Sequence, residues 1–172
     1  MSDLGAPPQA RWRAGAIEDF ARSELFDHTF QEGMDLVDET ALYLDGAGRR
    51  DSKLLSRNAA LAYAAESMRL TTRLMQVASW LLVQRAVREG DMGAEAASQN
   101  GYRLGPDQAA AEPAAPTEGL PATLANLIER ASRLHDRIRH LDRRIYLETD
   151  MPCAPAHPVL TQLERLKGVF GA

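Results

Sequence analysis

At 172 residues, with 45% of them hydrophobic, the chain is long enough for one domain with a proper core and cramped for two. An aromatic content of 6% is low for a β protein, and the abundance of Ala, Leu and Arg points to an all-α fold. The net charge of −4 gives no general argument for binding nucleic acid or an anionic membrane, and a lone Cys153 excludes an internal disulfide and fits a reducing cytosol.

Residues 1–22 read as an N-terminal arm. Pro7 and Pro8 precede a mixed stretch with Trp12, Ile17 and Phe20, whose few apolar side chains dock loosely at best. The start lacks the apolar run of a signal peptide, so a cytoplasmic protein is expected.

A first helix begins after Ser23, an N-cap residue followed by Glu24 and Asp27 in the first turn, where the helix dipole favours acids. Phe26, Phe30, Met34, Val37, Ala41 and Leu44 recur at steps of three and four, which is a helical face. Gly46-Ala47-Gly48 then gives a connection short enough to force the next helix antiparallel.

The central helix is expected over Ser52–Glu89, an interior free of Gly and Pro and closed by Gly90. Its apolar residues form three patches. One seam runs Leu54, Leu61, Ala65, Met68, Met75, Leu82 and Ala86; a second runs Leu70, Leu74, Val77, Ala78 and Leu81; Trp80, Val83 and Val87 add a third. A helix apolar around most of its circumference must be covered on several sides. The uncharged run from Leu74 to Gln84 is far too short to span a membrane.

Residues 90–121 change to Gly, Pro, Ala, Ser, Gln and Glu and read as a flexible linker, with Tyr102 and Leu104 its only sizeable apolar side chains. The third helix has the cleanest periodicity. Leu120, Leu124, Leu127, Ala131, Leu134, Ile138, Leu141 and Ile145 alternate steps of four and three, a coiled-coil-like seam that Pro152 ends. The expected fold is an all-α antiparallel three-helix bundle over residues 23–150, with a long central helix and a loosely ordered tail over 151–172. Within the tail, Leu160, Leu163 and Val169 or Phe170 share one side of a short amphipathic helix. It is either a flap on the bundle or a peptide for a partner.

Catalytic signatures are missing. There is no Walker loop, dinucleotide fingerprint, HExxH or nucleophile elbow, and Gly46-Ala47-Gly48-Arg49 is a helix-ending turn with no preceding strand. Cys153 and His157 have a zinc-like spacing, but only His28, His135 and His140 remain to complete four ligands, and the last two point to different faces of their helix. No metal or cofactor is expected. Glu66 reads as half of a structural ion pair, because no second carboxylate or nucleophile accompanies it. The first helix is acidic, with no Lys or Arg from Ser23 to Asp45, whereas the other two are rich in arginine. Mutual neutralisation at the helix edges is the simpler account, and a surface for acidic partner proteins the sharper one. Nucleic-acid binding by the Arg-rich third helix is the alternative function. It lacks interleaved aromatics, and Glu129, Asp136 and Asp142 interrupt its basic face.

Two long strings resemble a known family. They are Phe30-Gln31-Glu32-Gly33-Met34-Asp35-Leu36-Val37-Asp38-Glu39-Thr40-Ala41 and Ala59-Ala60-Leu61-Ala62-Tyr63 continuing through Glu66-Ser67-Met68-Arg69-Leu70-Thr71-Thr72-Arg73-Leu74-Met75-Gln76-Val77-Ala78-Ser79-Trp80. They are similar to the alphaproteobacterial RcdA family (regulator of CtrA degradation). The resemblance implies a dimeric three-helix bundle that is no enzyme and works as an adaptor, helping to deliver CtrA-like cell-cycle regulators to the ClpXP protease. It further implies a CpdR-like priming factor, a PopA-like cyclic-di-GMP-binding partner and concentration at a cell pole.

The residues are compatible with that reading. A central helix too apolar for two neighbours leaves surface for a second copy, with Met68, Met75, Trp80 and Val83 as the expected homodimer interface. Arg49, Arg50, Lys53 and Arg57, with Arg69 and Arg73 further along, are the expected contacts to acidic partners.

Overall fold

The computed structural model describes residues 8–106 and 119–146, the first six of them as backbone alone. They form six α-helices and, among the described residues, no strand: α1 (Pro8–Ala21), α2 (Glu24–Asp45), α3 (Ala47–Lys53), α4 (Arg57–Glu89), α5 (Ala94–Ala97) and α6 (Ala122–Tyr146). The expected bundle is therefore α2, α4 and α6. Residues 107–118, 147–150 and the tail lie outside the described residues.

Helix α2 starts where Ser23 places it, the Ser23 hydroxyl accepting from the Phe26 N–H at 3.2 Å. The central helix starts later than Ser52 suggested. Ser56 is the residue that caps it, its side chain accepting from the Ala59 N–H at 3.3 Å, and Gly90 ends it with φ of 82°. Residues 47–53 instead make α3, a two-turn step between α2 and α4. Gly48 is buried in that step against the Tyr43 carbonyl and the Tyr63 side chain, an approach that leaves no room for a Cβ.

α4 touches each of the other five helices. Arg88 pairs with Asp27 at one end of α4, and Gly33 lies against Val77 and Leu81 in its middle, so α2 runs antiparallel to it. Arg137 pairs with Glu32 and Arg130 with Glu39, so α2 is antiparallel to α6 as well. α4 and α6 consequently point the same way: Trp80 meets Asp142 and Gln84 meets Tyr146. Only a long return segment joins parallel neighbours, and residues 90–121 supply it.

The core forms where the second and third patches of α4 meet the seam of α6. Leu70, Leu74, Val77, Trp80, Leu81 and Val87 are buried with Leu124, Leu127, Ala131, Leu134, Ile138 and Ile145. Burial of each large apolar side chain is worth about 1.5–3 kcal/mol relative to exposure.

Two segments are better ordered than their composition suggested. The N-terminal arm includes α1, with Ile17 and Ala21 fully buried and the Phe20 ring centroid 5.8 Å from those of both Trp80 and Phe26. The first part of the linker is strapped down by charge. Arg103 Nη2 donates to Asp142 Oδ2 at 2.8 Å, its guanidinium sits 4.8 Å from the Tyr146 ring centroid, and the Trp80 indole N–H donates to Asp142 Oδ1 at 2.9 Å. The Asp142 side chain is 5% exposed and the Arg103 side chain 17%, so both charges depend on each other.

Asp142→Ala removes the acceptor from two buried donors. It should lower unfolding free energy by roughly 3–5 kcal/mol, read from urea denaturation. Asp142→Asn keeps an acceptor for Trp80 and should lose less; a cost below about 1 kcal/mol for the alanine variant contradicts this account of the strap.

Candidate interaction surfaces

α4 buries two of its three patches and leaves the first in solvent. Leu61 (66% exposed), Met68 (72%), Met75 (64%) and Leu82 (52%) stand exactly one heptad apart, and Leu54, at the C-cap of α3, continues the spacing at 86%. The side chains between them are small: Ala64, Ala65, Thr71, Thr72, Ala78 and Ser79. From Leu61 to Leu82 the stripe is about 32 Å long at the helical rise. A seven-residue repeat of large residues with small ones between is the surface a second helix packs into.

The expected dimer residues divide on this geometry. Met68 and Met75 lie on the stripe. Trp80 does not: it is 1% exposed, spent inside the subunit on Phe20 and Asp142, and Val83 is half-buried against the core. Leu61 and Leu82 complete the exposed row. The signal for them was in the sequence as the strict spacing 61, 68, 75, 82, which the preference of Trp for interfaces overrode.

The expected basic contacts also divide. Arg50, Lys53 and Arg57 are exposed around the α3–α4 step, and Arg49 beside them pairs with Asp45 at 3.2 Å while staying largely in solvent. Arg69 is different: its side chain is 16% exposed and donates to Glu66 at 2.8 Å, as expected for that carboxylate. Arg73 is half-buried with its Nε out of solvent. Neither of these two is displayed like the cations of the step. The arginines of α6 are largely engaged too, Arg130 with Glu39 at 2.7 Å, Arg133 with Glu129 at 2.7 Å and Arg137 with Glu32. The Arg130 and Arg137 pairs, with Arg88–Asp27, neutralise acidic α2 by basic neighbours, while Arg133 and Glu129 pair within α6.

Among the described residues no cluster of three His, Cys, Asp or Glu is placed to hold a metal ion, and no helix is long and apolar enough to cross a membrane. Cys153 and His157 lie outside the described residues.

Residues 17–170 match a family model described as a protein of unknown function, DUF1465. A solved structure, the crystal structure of RcdA from Caulobacter crescentus CB15, is 67% identical, with a TM-score of 0.63, and the match covers 76% of this chain and 98% of that one. The chain belongs to the RcdA family. No curated protein matches it. The two strings that resembled the RcdA family in sequence thus fall on α2, which carries the acids, and on α4, which carries both a buried core face and the open stripe.

The step that displays the cations is held by phenols. Tyr43 donates to Asp51 Oδ2 at 3.0 Å. Burial, and after it the hydrogen bond and charge of Asp51, push the Tyr43 pKa far above the usual phenol value. Burial raises Tyr63 and Tyr146 as well, opposed at Tyr63 by its hydrogen bond with Ser67 and at Tyr146 by the one from Gln84. A folded-state pKa above the unfolded value means that stability is complete below about pH 10 and is lost as pH rises beyond it. Urea midpoints should therefore be flat from about pH 7 to 9 and fall above about pH 10. Tyr43→Phe should make that alkaline fall shallower; an unchanged slope contradicts the placement of Tyr43.

Proposed function

We propose that this RcdA-family chain is a non-enzymatic adaptor that pairs with a second copy through the α4 stripe and helps deliver cell-cycle regulators to the ClpXP protease. The observation that carries the reading is the 32 Å row of exposed Leu and Met (about 32 Å at the helical rise) on a helix whose other faces are already used. A monomer gains nothing from leaving such a row in water, and large exposed apolar patches mark protein contacts. The partners in this reading are those the resemblance implies: ClpXP with a CpdR-like priming factor, a PopA-like cyclic-di-GMP-binding protein and CtrA-like substrates, in the cytoplasm and concentrated at a cell pole. Arg49, Arg50, Lys53 and Arg57 are the surface offered to acidic partners. The nucleic-acid alternative is disfavoured by the acidic partners already held by Arg130, Arg133 and Arg137.

Sedimentation equilibrium should show a dimer at tens of micromolar chain. Met68→Asp with Met75→Asp should weaken it by more than about tenfold, since each residue is exposed and central to the row. The same pair should change monomer stability by no more than about 0.5 kcal/mol. A wild-type monomer at that concentration, or a dimer indifferent to the two aspartates, contradicts the interface.

In a reconstituted degradation assay with ClpXP, a CpdR-like factor and a CtrA-like regulator, added chain should speed loss of the regulator. Arg50→Glu with Lys53→Glu and Arg57→Glu should slow it while helicity by circular dichroism is unchanged. No acceleration by the wild-type chain contradicts the adaptor reading; acceleration indifferent to the charge reversals removes the basic step from it.

A further inference from the structure

Beside the stripe, between α2 and α4, runs a groove of about 300 Å³. Val37, Ala41 and Leu44 form one wall and Leu74, Met75 and Ala78 the other, and α6 contributes no lining residue. Thr40 also lines it, is 4% exposed, and its hydroxyl has no hydrogen-bond partner among the described residues. It is the apolar walls, not the buried hydroxyl, that leave a surface open to water and favour an occupant.

We infer that the chain's own C-terminal segment, Val159–Phe170, docks in this groove. Val159, Leu163, Leu166 and Phe170 step by four, three and four, so one face of a helix over this segment is apolar. A segment this short is marginal as an isolated helix and needs a surface to lie on. Charge selects the occupant. On the α2 wall Asp45 lines the groove, its largely exposed carboxylate shared with Arg49, and Asp38 is exposed on the same helix, whereas α4 is uncharged from Leu74 to Gln84. The segment brings Arg165 and Lys167 against Glu164 alone. A second copy seated on the groove through the same surface would bring the same acids to face them, a like-charge juxtaposition.

Reach permits it. Tyr146, the last described residue, accepts a hydrogen bond from Gln84 Nε2 at 2.9 Å. Gln84 stands beyond Ala78 and Met75 on α4 by about 9 and 14 Å of helical rise. Residues 147–158 span up to roughly 40 Å when extended, which clears that distance and the width of one helix. Tethering at this range gives an effective concentration on the order of millimolar, so even a weak contact is occupied. The inference concerns a contact within one chain and stands independently of the adaptor reading.

The test uses the full chain with Cys153→Ser and Gly171→Cys, carrying a nitroxide at position 171. Amide signals of Val37, Ala41, Met75 and Ala78 should lose intensity relative to the reduced nitroxide, while those of Ser132 and Arg133 on α6 keep theirs. Adding Leu163→Asp and Leu166→Asp, which alter no described core residue, should restore the groove signals. A third sample mixes spin-labelled chain without isotope and isotope-labelled chain without spin; it should show a smaller loss, since one copy's label reaches the other only across the neighbouring stripe. Unperturbed groove signals overturn the inference, as does a loss that survives the two aspartates. A loss in the mixed sample as large as in the single-chain sample also overturns it, because the segment would then belong to a second copy.

Discussion

A 33-residue helix with apolar side chains around most of its circumference is a problem that three helices cannot fully solve. In this chain α2 and α6 cover two sides of α4, and α1 with α5 covers more of the end that carries Trp80 and Val87. What stays open is a single row, Leu61 to Leu82, and its neighbouring groove. Among the described residues, most of the exposed large apolar side chains therefore fall on one line, Leu54, Leu61, Met68, Met75 and Leu82, while Leu25 and Leu42 of α2 and Tyr102 stand apart from it. The uneven cover is also what separates interior from interaction surface on a helix whose composition alone does not distinguish them.

The covered end of α4 is held by polar groups as much as by apolar ones. Asp142 joins three segments far apart in sequence: α4 through the Trp80 indole, the strap through Arg103, and its own helix. Gln84 and Tyr146 add a second buried polar link one turn along, at 2.9 Å. Such links are poor sources of stability compared with apolar packing, yet they fix which turn of α6 meets which turn of α4. With α4 and α6 parallel, a shift of register would carry Asp142 away from Trp80 and leave a buried charge unpaired. The exposed row is held on its side of the bundle by that constraint.

The parts of this arrangement that were legible in the sequence are those set by local periodicity. The α6 seam and the division of α4 into patches follow from spacing, and the buried members of the second α4 patch, Leu70, Leu74, Val77 and Leu81, are in the core. On α2 the expected face shares only Phe26 with the buried one, which runs through Thr29, Gly33, Leu36, Thr40 and Tyr43, and leaves Phe30, Met34, Val37 and Leu44 half-buried beside it. The parts that were not legible depend on distant partners. α1 has too few apolar residues to announce itself, and Ile17 and Phe20 acquire their cover from the bundle. The docked strap depends on Arg103 and Asp142, 39 residues apart, which no local pattern links. Ser52 and Ser56 are equally good caps on paper; the α3 step, with Asp51 turned toward Tyr43, decides for Ser56. At the surface, Trp80 was chosen for its residue type and lies in the core, whereas the heptad spacing that adds Leu61 and Leu82 to the exposed row was passed over.

The account turns on the α4 row being open in the single chain and closed by a partner. Methionine methyl signals report this directly, because Met68 and Met75 both stand on the row. The measurement is the relaxation of their ε-methyl groups by a soluble paramagnetic agent over a dilution series. Strong relaxation of the Met68 methyl, which lies off the groove, is expected in dilute solution, falling together with that of Met75 as the chain is concentrated. Equal relaxation at every concentration, or protection of both methyls at the lowest one, would contradict the account.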